Sequence, residues 1–115
     1  MTRNLTPAQA LTLWHAVSLE TVREHDVDLS FRQFSILLTI YLEAPPHTVR
    51  DLAAKLGVSK PVITRALDSM GKIGLVSRRR DTADRRNVLV QRTVNGALYL
   101  ERFADTVARL STRNG

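Results

Sequence analysis

The chain of 115 residues contains no cysteine, which excludes disulfide bonds, thiolate zinc sites, thiol redox sensing and cysteine nucleophiles within it. It also lacks a long hydrophobic run. The longest stretch without Asp, Glu, Lys or Arg is the sixteen residues from Asn4 to Leu19, which include several polar residues, whereas a membrane span needs roughly 20 mostly apolar residues. Nor do the first residues resemble a signal peptide, because Glu20, Arg23 and Glu24 soon interrupt the apolar positions. These absences predict a cytoplasmic protein with no membrane partner.

Motifs for catalysis and metal binding are missing as well. The histidines at positions 15, 25 and 47 do not have the spacing of a metal site, so we interpret them as ordinary buried or solvent-facing side chains. No nucleophile elbow, Gly-rich phosphate loop or carboxylate pair occurs. The sequence therefore predicts a protein that is not an enzyme and needs neither metal nor cofactor.

Basic charge is abundant, and it is concentrated in one segment. The chain has 17 Lys and Arg against 11 Asp and Glu, a formal net charge of +6. Residues 50–92 contain eleven of the basic and four of the acidic residues, so this segment carries +7 and the remainder −1. A surface that was basic only for solubility would have no reason to segregate its charge in this way. The segment indicates a polyanionic partner.

Hydrophobic periodicity predicts a mainly α protein with a small β-hairpin (α+β), in the order α-α-α-α-β-β-α. Helices are expected over about 7–26, 31–43, 48–56 and 59–73, strands over 75–80 and 87–93, and a last helix from 95 to about 111. No linker or repeat interrupts the pattern, so we expect a single winged-helix domain over residues 1–115. Its parts are N-terminal helices (1–46), a helix-turn-helix with its wing (47–94) and a C-terminal helix (95–115).

Residues 48–73 have the features of a helix-turn-helix. Ala53 is small enough for the second helix to cross the first, Gly57 allows the turn, and Ile63 is spaced to join the two helices. Lys60, Thr64 and Arg65 then face outward on the second helix, where they are suited to base edges in a major groove. Another kind of helix pair, with a solvated outer face, is the alternative.

Two further parts of this segment suit the DNA backbone and the minor groove. Ser59 and the first helical turn with Pro61 are placed for phosphate oxygens. The predicted hairpin carries five arginines on a narrow projection, which is typical of the wing of a winged helix. We expect Asp81 and Asp84 to orient the loop arginines through ion pairs. The arginines of the hairpin are Arg78, Arg79, Arg80, Arg85 and Arg86.

Several of these segments together resemble the MarR family of bacterial transcription regulators, over about residues 29–100. They are Thr48–Ala53, Val62–Arg65 with Asp68, Gly74–Arg78, Asp81 with Asp84–Arg86, and Thr93–Gly96. The resemblance implies a homodimer that binds a pseudo-palindromic operator. It further implies that Lys60, Thr64 and Arg65 lie on the recognition helix, and that Arg86 anchors the wing or enters the minor groove.

The chain departs from the pattern of that family at four points. Met70-Gly71 stands where Leu-Glu is usual, and Arg92 stands where leucine is expected. The predicted last helix ends near residue 111, whereas the family usually continues with a longer dimerising helix. The lack of cysteine separates the chain from the peroxide-sensing members.

Dimerisation is also indicated by wide apolar arcs on the first and last predicted helices, because a small core leaves such surface exposed in a monomer. The alternative is that both helices pack on their own domain. The candidate dimerisation residues are Leu11, Trp14, Val17, Leu100, Phe103 and Val107.

Taken together, the sequence predicts a nucleoid-associated, sequence-specific regulator of transcription that binds double-stranded DNA as a homodimer. An architectural DNA-binding protein without sequence preference, or a winged-helix adaptor for a protein partner, is the alternative. Whether a small-molecule effector binds is left open.

Overall fold

Five helices and one hairpin follow one another in the order that the sequence predicts. A computed structural model describes residues 4–24 and 27–113. The elements are α1 (Pro7–Glu24), α2 (Phe31–Leu42), α3 (Val49–Leu56), α4 (Lys60–Lys72), β1 (Val76–Arg80), β2 (Val88–Arg92) and α5 (Val94–Arg113). The winged helix-turn-helix prediction is confirmed. The end predicted for the first helix, at residue 26, lies outside the described residues.

The helices begin where short polar side chains can accept hydrogen bonds from the first turn. Ser30 and Gln33 form a reciprocal capping box at α2, and Thr48 Oγ1 accepts from the Asp51 amide at 3.0 Å at α3. α3 ends at Gly57, whose left-handed φ of 70° favours glycine. α4 corrects the prediction in one detail: Ser59 occupies the N-cap position, but its side chain makes no capping hydrogen bond.

Residues 29–100 form one compact unit with a continuous core. The inward face of α4 contributes Ile63, Leu67 and Met70, each with no exposed surface, against buried residues of α2 and α3. Burying each such side chain contributes about 1.5–3 kcal/mol. The amphipathic pattern of α4 thus directs its other face, which carries the polar residues, away from this core.

The two strands pair antiparallel, with registers from Val76 opposite Arg92 to Arg80 opposite Val88. The segment before α3 pairs with the other edge of β2. A β-bridge joins Thr48 to Leu89, and the Val90 amide donates to the His47 carbonyl at 2.8 Å. The wing, meaning β1, β2 and the loop between them, is therefore attached by backbone hydrogen bonds to the residues that start α3.

A second unit contains the described residues up to Asp28 and from Glu101 onward, so it consists of α1 and the later part of α5. Val17 and Leu110 are buried in it, and Arg109 Nη2 donates to Glu20 Oε1 at 3.3 Å. Within the described residues, no helix has the length and apolar character to cross a membrane.

Candidate nucleic-acid interface

Backbone hydrogen bonds and apolar packing hold α3 and α4 in a helix-turn-helix. The amide of Val58 donates to the Ala53 carbonyl at 3.0 Å, closing the turn around Gly57. Ala53 is only 6% exposed, as expected where two helices cross, and Leu52 is buried with Ile63 in the core. The residues that the sequence singled out for this motif are thus brought together.

The outward side of α4 is a shallow groove with a mixed chemical character. It is lined by Lys60, Pro61, Thr64, Arg65 and Asp68, and all five are exposed. Across residues 4–24 and 27–113, neither Lys60 nor Arg65 takes part in an ion pair. Their positive charges are therefore available to an external anion. We refer to Lys60, Thr64 and Arg65 as the reading face.

Arg78, a predicted DNA contact, has a partner within the chain. Its Nη2 atom lies 2.8 Å from Asp68 Oδ1, so the ion pair joins β1 to the outer side of α4. The same nitrogen is 3.8 Å from where a Cβ would stand on Gly71. In the sequence, Asp68 was noted only as part of a family pattern. It stands four residues after Thr64 and three after Arg65, a spacing that places the three side chains next to one another on a helix.

The wing loop is held by a second ion pair. Arg86 Nε donates to Asp84 Oδ1 at 3.0 Å and Arg86 Nη2 to Asp84 Oδ2 at 3.1 Å, while the Arg86 amide donates to Asp84 Oδ1 at 3.1 Å. These hydrogen bonds, the side-chain ones foremost, hold the pKa of Asp84 below its usual range. The carboxylate likewise raises the pKa of Arg86. The Asp84 carboxylate therefore contacts the side chain and the amide of Arg86.

The ion pair expected for Asp81 is not found among the described residues, because its side chain stabilises a turn instead. Its Oδ1 accepts from the Ala83 amide at 2.9 Å, and no ion pair of Asp81 occurs among the described residues. Asp side chains commonly accept from the amide two residues later, and this short-range hydrogen bond is the one formed here. Arg80 instead bonds to the backbone, donating from Nη1 to the Arg85 carbonyl at 2.7 Å.

The side chains of two wing arginines, Arg79 and Arg85, have no ion-pair or hydrogen-bond partner among the described residues. Both are exposed. Since opposite residues of an antiparallel pair share a face, Arg79 lies on the side of Leu89, and Arg78 and Arg80 lie on the side of the buried Val90. The five hairpin arginines therefore do not form one uniform surface.

Arg92 is a residue that the sequence reading noted only as a departure from a family pattern. Its Nε atom donates to the Ile40 carbonyl at 2.7 Å, and Nη2 donates to the Tyr41 carbonyl at 3.1 Å. Its guanidinium carbon lies 5.4 Å from the centre of the Tyr41 ring. The sequence signal for this role was that the last turn of α2 contains no basic residue to contact its carbonyls.

The candidate dimerisation residues fall into different environments. Leu11 is 73% exposed and Trp14 is 53% exposed on α1. Val17, by contrast, is 2% exposed within the single chain, so it has no surface to offer a partner. Leu100 packs partly buried against the core of residues 29–100, and Phe103 and Val107 are half-buried. In the part of the chain that the structure describes, no group of three or more His, Asp or Glu side chains could hold a metal ion.

Comparisons with known proteins show that the chain is similar to bacterial transcription regulators. Residues 29–88 match the sequence model of the MarR family. The HTH-type transcriptional repressor YetL of Bacillus subtilis is 36% identical over 77 residues, which are 65% of this chain and 46% of that protein. The organic hydroperoxide resistance transcriptional regulator of Bacillus subtilis is 29% identical over 115 residues, 93% of this chain and 78% of that protein. The chain therefore spans less than half the length of YetL.

Among solved structures, the transcriptional repressor CouR bound to a 23-mer DNA duplex is similar in fold and sequence. The two chains superpose with a TM-score of 0.72 at 28% identity, covering 92% of this chain and 72% of that one. CouR from Rhodococcus jostii has also been crystallised with p-coumaroyl-CoA.

Proposed function

Since the chain belongs to the MarR family, we propose that it regulates transcription by binding a specific site in double-stranded DNA as a homodimer. The observation that carries the proposal is the exposed reading face on α4, where Lys60 and Arg65 form no ion pair with any described residue, beside a wing that carries further arginines. A protein-binding adaptor would have no need for this charge on the face that a helix-turn-helix presents to a major groove.

In this proposal the reading face enters the major groove. Arg65 and Lys60 are suited to the O6 and N7 atoms of guanine, and Thr64 to a thymine methyl or a polar base atom. Ser59 contributes from the start of α4, because its hydroxyl is exposed and makes no capping hydrogen bond there. That hydroxyl and the first amides of the helix then bind phosphate oxygens.

The wing lies along the adjacent backbone or minor groove. Arg85 is exposed and unpaired among the described residues, and Arg86 is 89% exposed in its side chain although it contacts Asp84. The negative potential of a narrow minor groove attracts arginine side chains. Asp84 holds the Arg86 guanidinium in one orientation before DNA arrives, which lowers the entropy cost of the contact.

Apolar surface on α1 supports the homodimer. Leu11 and Trp14 are exposed there, and a two-fold axis through such a surface would bury it twice. A pair of recognition helices related by this axis reads two half-sites about one DNA turn apart, roughly 34 Å. The proposal therefore includes a pseudo-palindromic site and a nucleoid-associated location.

Footprinting across a fragment library of bacterial genomic DNA tests the function. Discrete peaks with a two-fold sequence pattern support the regulator. Uniform coverage would show an architectural protein instead, and lack of retention on DNA would leave an adaptor.

The substitution Arg65→Ala tests the reading face. We expect it to weaken binding to the selected site by about 1–3 kcal/mol and to leave binding to random DNA almost unchanged, because a base contact acts only at the specific site. Fluorescence anisotropy on both duplexes measures this difference. Arg32→Ala on the exposed side of α2 is the matched control for loss of one positive charge. Equal losses on both duplexes would remove Arg65 from base reading.

A further inference from the structure

We propose that Arg92 is a positioning residue that fixes the base of the wing to the C-terminal end of α2. It does so by capping that helix from another element. The consequence for DNA affinity rests on the proposed function, whereas the consequence for the wing itself does not.

The C-terminal end of α2 lacks the usual means of satisfying its last carbonyls. Such carbonyls have no partner inside the helix, and a glycine in left-handed conformation or a nearby cation commonly satisfies them. Here the C-cap residue is Glu43 in an extended conformation, and its amide bonds only to the Thr39 carbonyl. No basic residue is present in the last turn. His47 Nε2 lies 3.2 Å from the Glu43 carbonyl, so the Ile40 and Tyr41 carbonyls are the ones that need a donor from elsewhere.

Arg92 supplies that donor, although it is 52 residues away from Ile40 in sequence. The bonds to the Ile40 and Tyr41 carbonyls are 2.7 and 3.1 Å long, and a third contact reaches the Glu43 carbonyl at 3.5 Å. A positive charge at this end is also favourable for the helix dipole. Hydrogen bonds from an ionised donor are about twice as strong as neutral ones.

The neighbouring residue strengthens the same junction. Thr93 accepts a hydrogen bond from the Tyr41 hydroxyl through its carbonyl, and its own hydroxyl donates to the Gly74 carbonyl at 2.7 Å. Tyr41 also places its ring against the Arg92 guanidinium, which adds a cation–π contact. The last residue of β2 and the residue after it thus both attach to the last turn of α2.

This attachment determines where the wing stands relative to α4. α2 packs with α3 and α4 in the core of residues 29–100, and Glu43 pairs with Lys55 of α3 at 2.9 Å. β2 begins at Val88, immediately after the loop that carries Arg85 and Arg86. Arg92 is exposed, but its guanidinium is held by the carbonyls of α2, so we assign it this attachment and not a DNA contact, even though it belongs to the basic segment.

Hydrogen exchange tests the attachment without any DNA. Arg92→Leu removes the donors and keeps an apolar stem, and we expect the Val90 amide to exchange about tenfold faster relative to the Leu67 amide of α4. Arg92→Lys keeps the charge without the planar fork, so it should recover part of the protection. Arg79→Ala, at the opposite face of the hairpin, is the control and should change neither amide. If Arg92→Leu leaves the ratio of the Val90 and Leu67 exchange rates unchanged, the proposal is overturned. It is also overturned if both Arg92→Leu and Arg92→Lys accelerate the two amides equally.

A double-mutant cycle on DNA tests the positioning. Arg86→Ala should weaken binding to the selected site less in the Arg92→Leu background than in the wild type, by at least about threefold, because a displaced wing has already lost its contact. Arg65→Ala should have the same effect in both backgrounds. Coupling to neither residue, or to both equally, would contradict a role for Arg92 in placing the wing. If the wild-type protein binds no DNA, the proposed function fails, and the exchange ratio still decides whether Arg92 anchors the wing.

Discussion

At the scale of single residues, Asp84 contributes to the candidate interface although it carries the charge that DNA repels. Its two oxygens accept from the Arg86 side chain, and one of them accepts from the Arg86 amide as well. The carboxylate therefore keeps a long, flexible cation in one place. An arginine that is ordered beforehand loses less entropy on binding.

The pH dependence of this pair follows from the sign of the pKa shift. The pKa of Asp84 is lowered in the folded chain by the hydrogen bonds from Arg86. Its stabilising effect is therefore complete above the unfolded value, about 3.9, and is lost as pH falls through the lower folded value. We expect the wing to keep this ion pair throughout pH 5–8, and NMR titration of the Asp84 carboxyl carbon measures the midpoint. Arg86→Ala should raise that midpoint, while Arg79→Ala should not. A midpoint that Arg86→Ala leaves in place would contradict Arg86 as the cause.

Other residue roles were not accessible from the sequence, because more than one partner lay within reach. Asp81 and Asp84 both precede wing arginines, and only the fold of the loop assigns one to a backbone turn and the other to an ion pair. Similarly, Arg78 belongs to a run of three arginines. Its contact with Asp68 depends on the position of β1 relative to α4.

At the scale of elements, two glycines in successive helices differ in the space available for a side chain. Gly71 lies inside α4, and a Cβ there would meet only Arg78 Nη2 at 3.8 Å. A Cβ on Gly96, in the first turn of α5, would overlap the Leu75 carbonyl oxygen and lie 2.7 Å from the Tyr41 hydroxyl. The close approach of α5 to the turn before β1 therefore depends on Gly96.

Alanine at each position should change stability in opposite directions. Gly71→Ala is expected to raise the free energy of unfolding by about 0.5–1 kcal/mol, because alanine loses less backbone entropy in a helix. Gly96→Ala is expected to lower it by about 1–3 kcal/mol, since backbone atoms must move to admit the methyl group. Urea unfolding of the two variants beside the wild type measures both changes. A stabilised Gly96→Ala, or a strongly destabilised Gly71→Ala, would show that the packing around these helices differs from this description.

The elements were predictable because the signals that define them are local. The capping contacts that start α2 and α3 and end α3 each lie within four residues of one another, so the sequence shows these helix boundaries. The capping residues are Ser30 with Gln33, Thr48 with Asp51, and Gly57. The cap on the other end of α2 was not predictable, because Arg92 reaches it only through tertiary structure. The bridge from Thr48 to Leu89 was missed for the same reason.

At the scale of the whole molecule, the basic segment performs two different tasks. Lys55, Arg78 and Arg92 bind partners inside residues 29–100, whereas Lys60 and Arg65 have none among the described residues. The sum of charges in the sequence indicates an anionic partner class. It could not divide the cations between internal contacts and the outer surface, because that division depends on distances that only the fold creates.

Association of two copies is the prediction that belongs to this scale. Leu11→Asp places a charge in the exposed apolar surface of α1, and we expect it to convert a dimer into a monomer because the charge would have to be desolvated at the interface. Sedimentation velocity gives the oligomeric state. Leu42→Asp, at a residue 79% exposed in the unit of residues 29–100, is the control for adding a charge. A Leu11→Asp protein that sediments like the wild type would place the contact between copies elsewhere.

The pairing of β2 on both sides has a consequence for behaviour at high concentration. Because the residues before α3 cover one edge of β2, the hairpin has a single open edge among the described residues, that of β1. Open strand edges are sites where copies of a protein add to one another and aggregate, and charged side chains on an edge oppose this. β1 ends in Arg78, Arg79 and Arg80. The three arginines of β1 therefore oppose the joining of two wings through the one strand edge that is open among the described residues.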